Sequence, residues 1–97
     1  MSVTATGFAP CEKPDRYLQQ LAKHWSHKLA TSYEDGLATF PFSEHDNAVM
    51  QAREGGIAIT LTTGEAERNE QLRGVIERHI DRFAFREAPL SYEWKDQ

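Results

Sequence analysis

From residue 30 to residue 62 the pattern alternates with a period of two, broken by two tight-turn signals and one polar stretch. Asp35-Gly36 and Gly55-Gly56 supply the turn chemistry, and residues 43–47 are polar. A period of two sends successive side chains to opposite faces of a strand. Asp-Gly between two alternating runs is the strongest short-range hairpin signal. The expected strands are 30–34, 37–42, 48–53 and 57–62. Pro41 marks the second as an edge, or as its end, because proline lacks the N–H a ladder needs. In the last of them Ile57, Ile59 and Leu61 alternate with Ala58, Thr60 and Thr62, so one face meets the core. Four strands on short turns make an antiparallel meander. Such a sheet must cover its apolar face with something else, and the flanking sequence supplies helices.

Residues 15–29, DRYLQQLAKHWSHKL, place Leu18, Leu21, Ala22, Trp25 and Leu29 three and four apart, an apolar stripe of helical period. Lys13-Pro14-Asp15 opens it, with proline in the first turn and an acid at the positive end of the helix. A second helix is expected after Thr62-Thr63-Gly64-Glu65, which has capping-box spacing, and it runs to about Phe83. Its stripe is Leu72, Val75, Ile76, His79, Ile80 and Phe83. Residues 2–8 read as a first strand closed by Pro10, and Leu90, Tyr92 and Trp94 alternate as a last one. The order is β-α-β-β-β-β-α-β. The expected fold is α+β, a two-layer sandwich of a mainly antiparallel sheet with both helices on one face. A helix-grip-like arrangement fits best, with a ferredoxin-like sheet as the alternative. With 97 residues the chain supports one core, so residues 1–97 are expected to form a single domain.

The net charge of −4 argues against nucleic acid as a partner, since phosphate binding needs an excess of Lys and Arg on the contact face. Cys11 is the only cysteine, which excludes an internal disulfide and a multi-cysteine metal site and suits a reducing cytoplasm. The first residues lack the basic start and apolar run of a signal peptide. No apolar stretch nears the ~20 residues that span a bilayer, so no membrane association is expected.

The residues with functional promise lie on the first helix. Arg16, Lys23, His27 and Lys28 fall within four turns with no acid after Asp15, and His24 sits at the stripe's border. A local excess of positive charge in an acidic chain attracts a carboxylate, phosphate or catecholate. His24 and His27 are three apart, but a metal site usually needs a third ligand, which His79 or His45 would have to supply, so no metal site is assigned. His79 lies inside the second apolar stripe and is expected to be mostly buried and neutral. Arg78, Arg82 and Arg86 form a second basic row, expected to suit the helix dipole and to pair with Glu77, Asp81 or Glu87. No GxSxG, P-loop or GxGxxG occurs. Ser43-Glu44-His45-Asp46 gathers the residue types of a triad in a loop that cannot hold triad geometry. Catalysis is not the expected function, and the residues point to no particular cofactor.

RYLQQLAKHWSHKL and the later IERHIDRFAFREAPLSYEW resemble the bacterial domain-of-unknown-function family DUF 2218, and the resemblance extends over nearly the whole chain. It implies a domain near iron acquisition, because some relatives occur fused or adjacent to siderophore-interacting flavin reductases. Many relatives carry a cysteine where this chain has Ala22, so no shared thiol or Cys–His role is carried over. The motifs support Arg86, His24, His27 and His79 as positions without assigning them jobs. The expected function is a non-catalytic binding or accessory module. Its ligand residues are Arg16, Lys23, His24, His27, Lys28 and His79, and its partner is an anionic small molecule or a siderophore-interacting reductase. The alternative is a homodimer formed through the open sheet face, with Tyr33, Phe40, Phe42 or Tyr92 as contacts.

Overall fold

The computed structural model describes residues 2–97. The elements are β1 (Val3–Pro10), α1 (Pro14–Trp25), β2 (Ser32–Glu34), β3 (Leu37–Pro41), β4 (Asn47–Arg53), β5 (Gly56–Thr63), α2 (Ala66–Phe83) and β6 (Glu93–Asp96). All strands form one sheet in the order β2-β3-β4-β5-β1-β6, and every neighbouring pair is antiparallel. In a ferredoxin-like sheet a single strand separates the two that a helix joins, whereas here β3, β4 and β5 all lie between β1 and β2, so that alternative is set aside and the two-layer α+β sandwich stands. None of the helices among the described residues is long and apolar enough to cross a membrane.

The meander follows from its turns. Asp35 and Gly36 have φ of 49° and 79°, the paired positive angles of a type I′ hairpin, so the Asp-Gly signal is realised. Register carries one row across the sheet, Trp94–Gly7–Ile59–Met50–Ala38–Tyr33. A second row is Ala5–Leu61–Ala48–Phe40. These rows face both helices and, with Leu18, Leu21, Trp25, Leu72, Ile76 and Ile80, form one core. Each fully buried Leu or Ile there contributes roughly 1.5–3 kcal/mol before chain entropy is set against it. A Cβ at Gly7 would lie 2.8 Å from the Trp94 ring, so glycine makes room for the indole to lie across β1.

The opposite face carries Thr4, Thr6, Phe8, Thr39, Val49, Ala58, Thr60 and Thr62. This corrects the expectation for the open face. Tyr33, Phe40 and Phe42 pack on the helix side, with Phe40 fully buried. Tyr92 hydrogen-bonds into α2 through the Glu77 carbonyl and Asp81. All four therefore belong to the helix side of the sheet and not to its open face.

Three local expectations also change. α1 stops at Trp25 instead of running to Leu29, and the amides of Lys28 and Leu29 both bond the Trp25 carbonyl. Leu29 stays packed against the core from this turn, so it keeps the phase of the stripe without being helical. The 30–34 strand shortens to Ser32–Glu34. The capping box does not form, because Thr62 and Thr63 are held in β5 opposite Thr4 and Val3. Thr63 Oγ1 donates instead to the Glu65 carbonyl, and Glu65 caps α2 without a side-chain bond.

Asp46 ties the β3–β4 loop to the start of α2. It accepts from Ser43 Oγ at 2.7 Å, from the Gly64 amide at 3.1 Å and from Arg68 Nε at 3.0 Å. Ser43 and Asp46 are thus a structural pair. The Ser43 hydroxyl first, then Gly64 and Arg68, hold the Asp46 carboxyl below its ordinary 3.8 against the opposing effect of burial. A depressed carboxylate stabilises the fold above its unfolded value, and that contribution disappears as pH falls through the lower folded value. Urea midpoints followed from neutral pH into the acid range should fall more steeply in the wild type than in Asp46→Asn. Equal slopes would show that Asp46 is not the group being titrated.

Candidate functional site

The two helices pack side by side and antiparallel, so α1 read forwards meets α2 read backwards. His24, in the last turn of α1, meets His79 with ring centroids 5.6 Å apart and Phe83 at 5.8 Å. Earlier in α1, Arg16, Tyr17 and Gln20 line a cleft of about 370 Å³ together with Phe83, Phe85, Arg86 and Glu87. Phe83 belongs to both groups, so the histidine pair adjoins the cleft across the Phe83 ring without lining it. A volume of this size lies in the range of small-molecule sites.

His79 is half-buried at the edge of the core rather than inside it. Its Nδ1 lies 2.7 Å from the Val75 carbonyl, and a carbonyl only accepts, so Nδ1 carries the proton and Nε2 is the free ring nitrogen. Its ring also lies 4.8 Å from that of Trp25, which pins it from below. His24 is exposed on one side. Desolvation first, and then the positive groups His79, Arg82, Lys28 and His27, hold it below the ordinary 6.5. His27 and Lys28 thus reach the group electrostatically from the turn that follows α1. Lys23 is exposed in the last turn and joins neither group. Of the six residues expected from sequence, Arg16 lines the cleft, and His24, His27, Lys28 and His79 cluster at the other end.

The arginine row is where the structure departs most from expectation. Among the described residues only two Lys or Arg side chains make ion pairs, Arg68 with Asp46 and Arg73 with Asp96. The acids expected to pair with Arg78, Arg82 and Arg86 are engaged elsewhere. Glu77 accepts from the Trp94 indole at 2.8 Å. Asp81 accepts from Tyr92 Oη at 2.8 Å and from the Leu90 amide at 3.1 Å. Glu87 accepts from Tyr17 Oη at 2.6 Å and from the Glu12 amide at 3.1 Å. Arg82 and Arg86 are left without carboxylate partners beside the cleft. Cleft-lining residues that were not expected as ligand residues include Tyr17, Gln20, Phe83, Phe85 and Arg86. Phe85 is 71% exposed and carries the Arg86 guanidinium 5.9 Å from its ring centroid. The RFAFRE run places two aromatics and two arginines on one short turn, and that was the available signal.

The cleft has no activated nucleophile. Burial first, and then the charge of Glu87, push the Cys11 thiol up to about 11, and a thiol is a poor nucleophile while protonated. The bond to Glu87 pushes Tyr17 up to about 12. A larger depression of about 680 Å³ at the Asp35-Gly36 turn is an open dish with Asp15, Asp35 and Glu54 against Arg53 alone. It lacks both the apolar walls and the cationic excess of the helix cleft.

A family model described as an uncharacterised protein conserved in bacteria (DUF2218) matches residues 6–95. Among curated proteins nothing matches this sequence. The NMR structure of PA4090 from Pseudomonas aeruginosa is similar in fold, with a TM-score of 0.81, 22% identity and coverage of 96% of this chain and 95% of that one.

Proposed function

The chain belongs to the bacterial family DUF2218, and we propose that its interhelical cleft binds a small aromatic or apolar anion as a non-catalytic accessory module. The carrying observation is that Arg16 and Arg86 line an aromatic-walled cleft while neither has a carboxylate partner. Lys13, Arg16 and Arg86 outnumber Glu12 and Glu87, and Glu87 is occupied by Tyr17 and the Glu12 amide. An arginine fork suits a carboxylate, and Phe83 and Phe85 suit an apolar body. A catecholate, the class that a link to siderophore-iron handling and a siderophore-interacting reductase would supply, meets the same demands and belongs to this proposal.

Benzoate and an iron-free catecholate titrated into labelled protein should shift the amides around Arg16, Phe85 and Arg86. Arg16→Gln and Arg86→Gln should each weaken the stronger binder by about tenfold, the ~1.4 kcal/mol of one charge-assisted contact. If neither probe moves those amides, the binding proposal fails.

A further inference from the structure

A second group of basic side chains lies beyond the Phe83 wall of the cleft, and its position restricts what a ligand spanning both would be. Arg16, Gln20 and His24 follow one another at four-residue steps along α1, so the two ends of such a ligand's path lie about 12 Å apart at 1.5 Å per residue. One end holds Arg16 and Arg86. At the other, His24 lies against His79, with Arg82, His27 and Lys28 acting on it. Between them the surface is Phe83, which lines the first end and touches His24 at the second. All the charges acting on His24 from α2 and from the turn after α1 are positive. The nearby α2 acids, Glu77 and Asp81, are held by Trp94 and Tyr92. This composition opposes a bare metal cation and favours a negative group.

We infer that this surface takes an elongated dianion with an apolar or aromatic middle, one anionic group held by Arg16 and Arg86 and the other by the His24–His79–Arg82 cluster. The inference rests on the anion-binding reading above and adds the second charge and the spacing. Desolvation first, and then its positive neighbours, disfavour the imidazolium of His24. An arriving anion reverses that balance. Binding at this end therefore takes up a proton, and the gain from the second charge grows as pH falls.

The probes are the para,para′-dicarboxylate of biphenyl and biphenyl monocarboxylate, titrated into labelled protein at about pH 6 and pH 8, either side of the ordinary histidine value. The dicarboxylate should bind about tenfold more tightly than the monocarboxylate at the lower pH, and by less at the higher. It should shift both the Arg16–Arg86 amides and the His24 and His79 rings. His24→Ala, at an exposed position, should erase the advantage of the dicarboxylate over the monocarboxylate. Arg82→Gln should reduce the advantage as an independent variant. Equal affinities, with shifts confined to the Arg16 end, would overturn the dianion and leave the anion-binding proposal standing. No shifts at the Arg16 end would overturn both.

Discussion

Replacing Trp25 with alanine is expected to cost about 3–5 kcal/mol, the range for truncating a large buried aromatic. The side chain is 6% exposed. It meets Phe40 and Phe42 edge-on, each with ring centroids 5.1 Å apart, and lies 4.8 Å from the His79 ring. Burial of an indole removes roughly 150–250 Å² from water, and edge-to-face pairs add about 0.5–1.5 kcal/mol each. Alanine leaves the space between α1 and the β3 side of the sheet empty, and the strands cannot close it without breaking their ladder. In a chain of this length each kcal/mol lowers Tm by about 4–8 °C, so a fall of roughly 12–40 °C should appear in thermal unfolding followed by circular dichroism. A loss below about 1.5 kcal/mol would mean that the site collapses freely and that Trp25 is not the joint between layers. The variant should also loosen His79, whose ring rests on the indole.

Gly56→Ala is the second large effect, and it works by collision instead of cavity. An added Cβ would lie 2.4 Å from the Ala9 carbonyl oxygen and 2.6 Å from Phe8 Cζ. The Phe8 ring can turn away on the open face of the sheet. The Ala9 oxygen cannot, because β1 and β5 are paired from Val3–Thr63 to Pro10–Gly56. Relief requires the end of the ladder to part, so we expect a loss of about 2–3 kcal/mol, at the upper end for overpacking. Its neighbour is the control. Gly55 has a φ of 86° with nothing within 4 Å of an added Cβ, so Gly55→Ala meets backbone strain alone and should cost about 1 kcal/mol. Urea unfolding of both variants distinguishes the cases, and a Gly56→Ala protein as stable as Gly55→Ala would refute the steric account.

Much of this architecture is readable in residues that obey local rules. Asp35-Gly36 forces its hairpin by backbone angles alone, and Ile57, Ile59 and Leu61 declare a strand with one buried side. The signals that misled were local patterns overruled from a distance. Thr62 has capping-box spacing to Glu65 but is held in the ladder by Thr4. Leu29 keeps the helical phase from a turn, with no Gly or Pro to announce the end of α1. Tyr33 and Phe40 share a parity, but parity does not say which side the helices cover. In the candidate site Arg16, His24 and His79 carried legible chemistry. The freedom of Arg82 and Arg86 did not, since it depends on Tyr17, Tyr92 and Trp94 reaching acids 11 to 70 positions away.

Synthesis of the chain adds an order of events to this arrangement. Among the described elements β1 comes first in sequence, yet its outer neighbour β6 follows all the others, and the Gln97 amide bonds back to the Thr4 carbonyl. Until residues 92–94 emerge, Glu77 and Asp81 have neither the phenol nor the indole that holds them. The bonds that hold Asp81 and Glu77 beside the helix cleft therefore form only after the segment from Tyr92 to Trp94 has joined the sheet and α2.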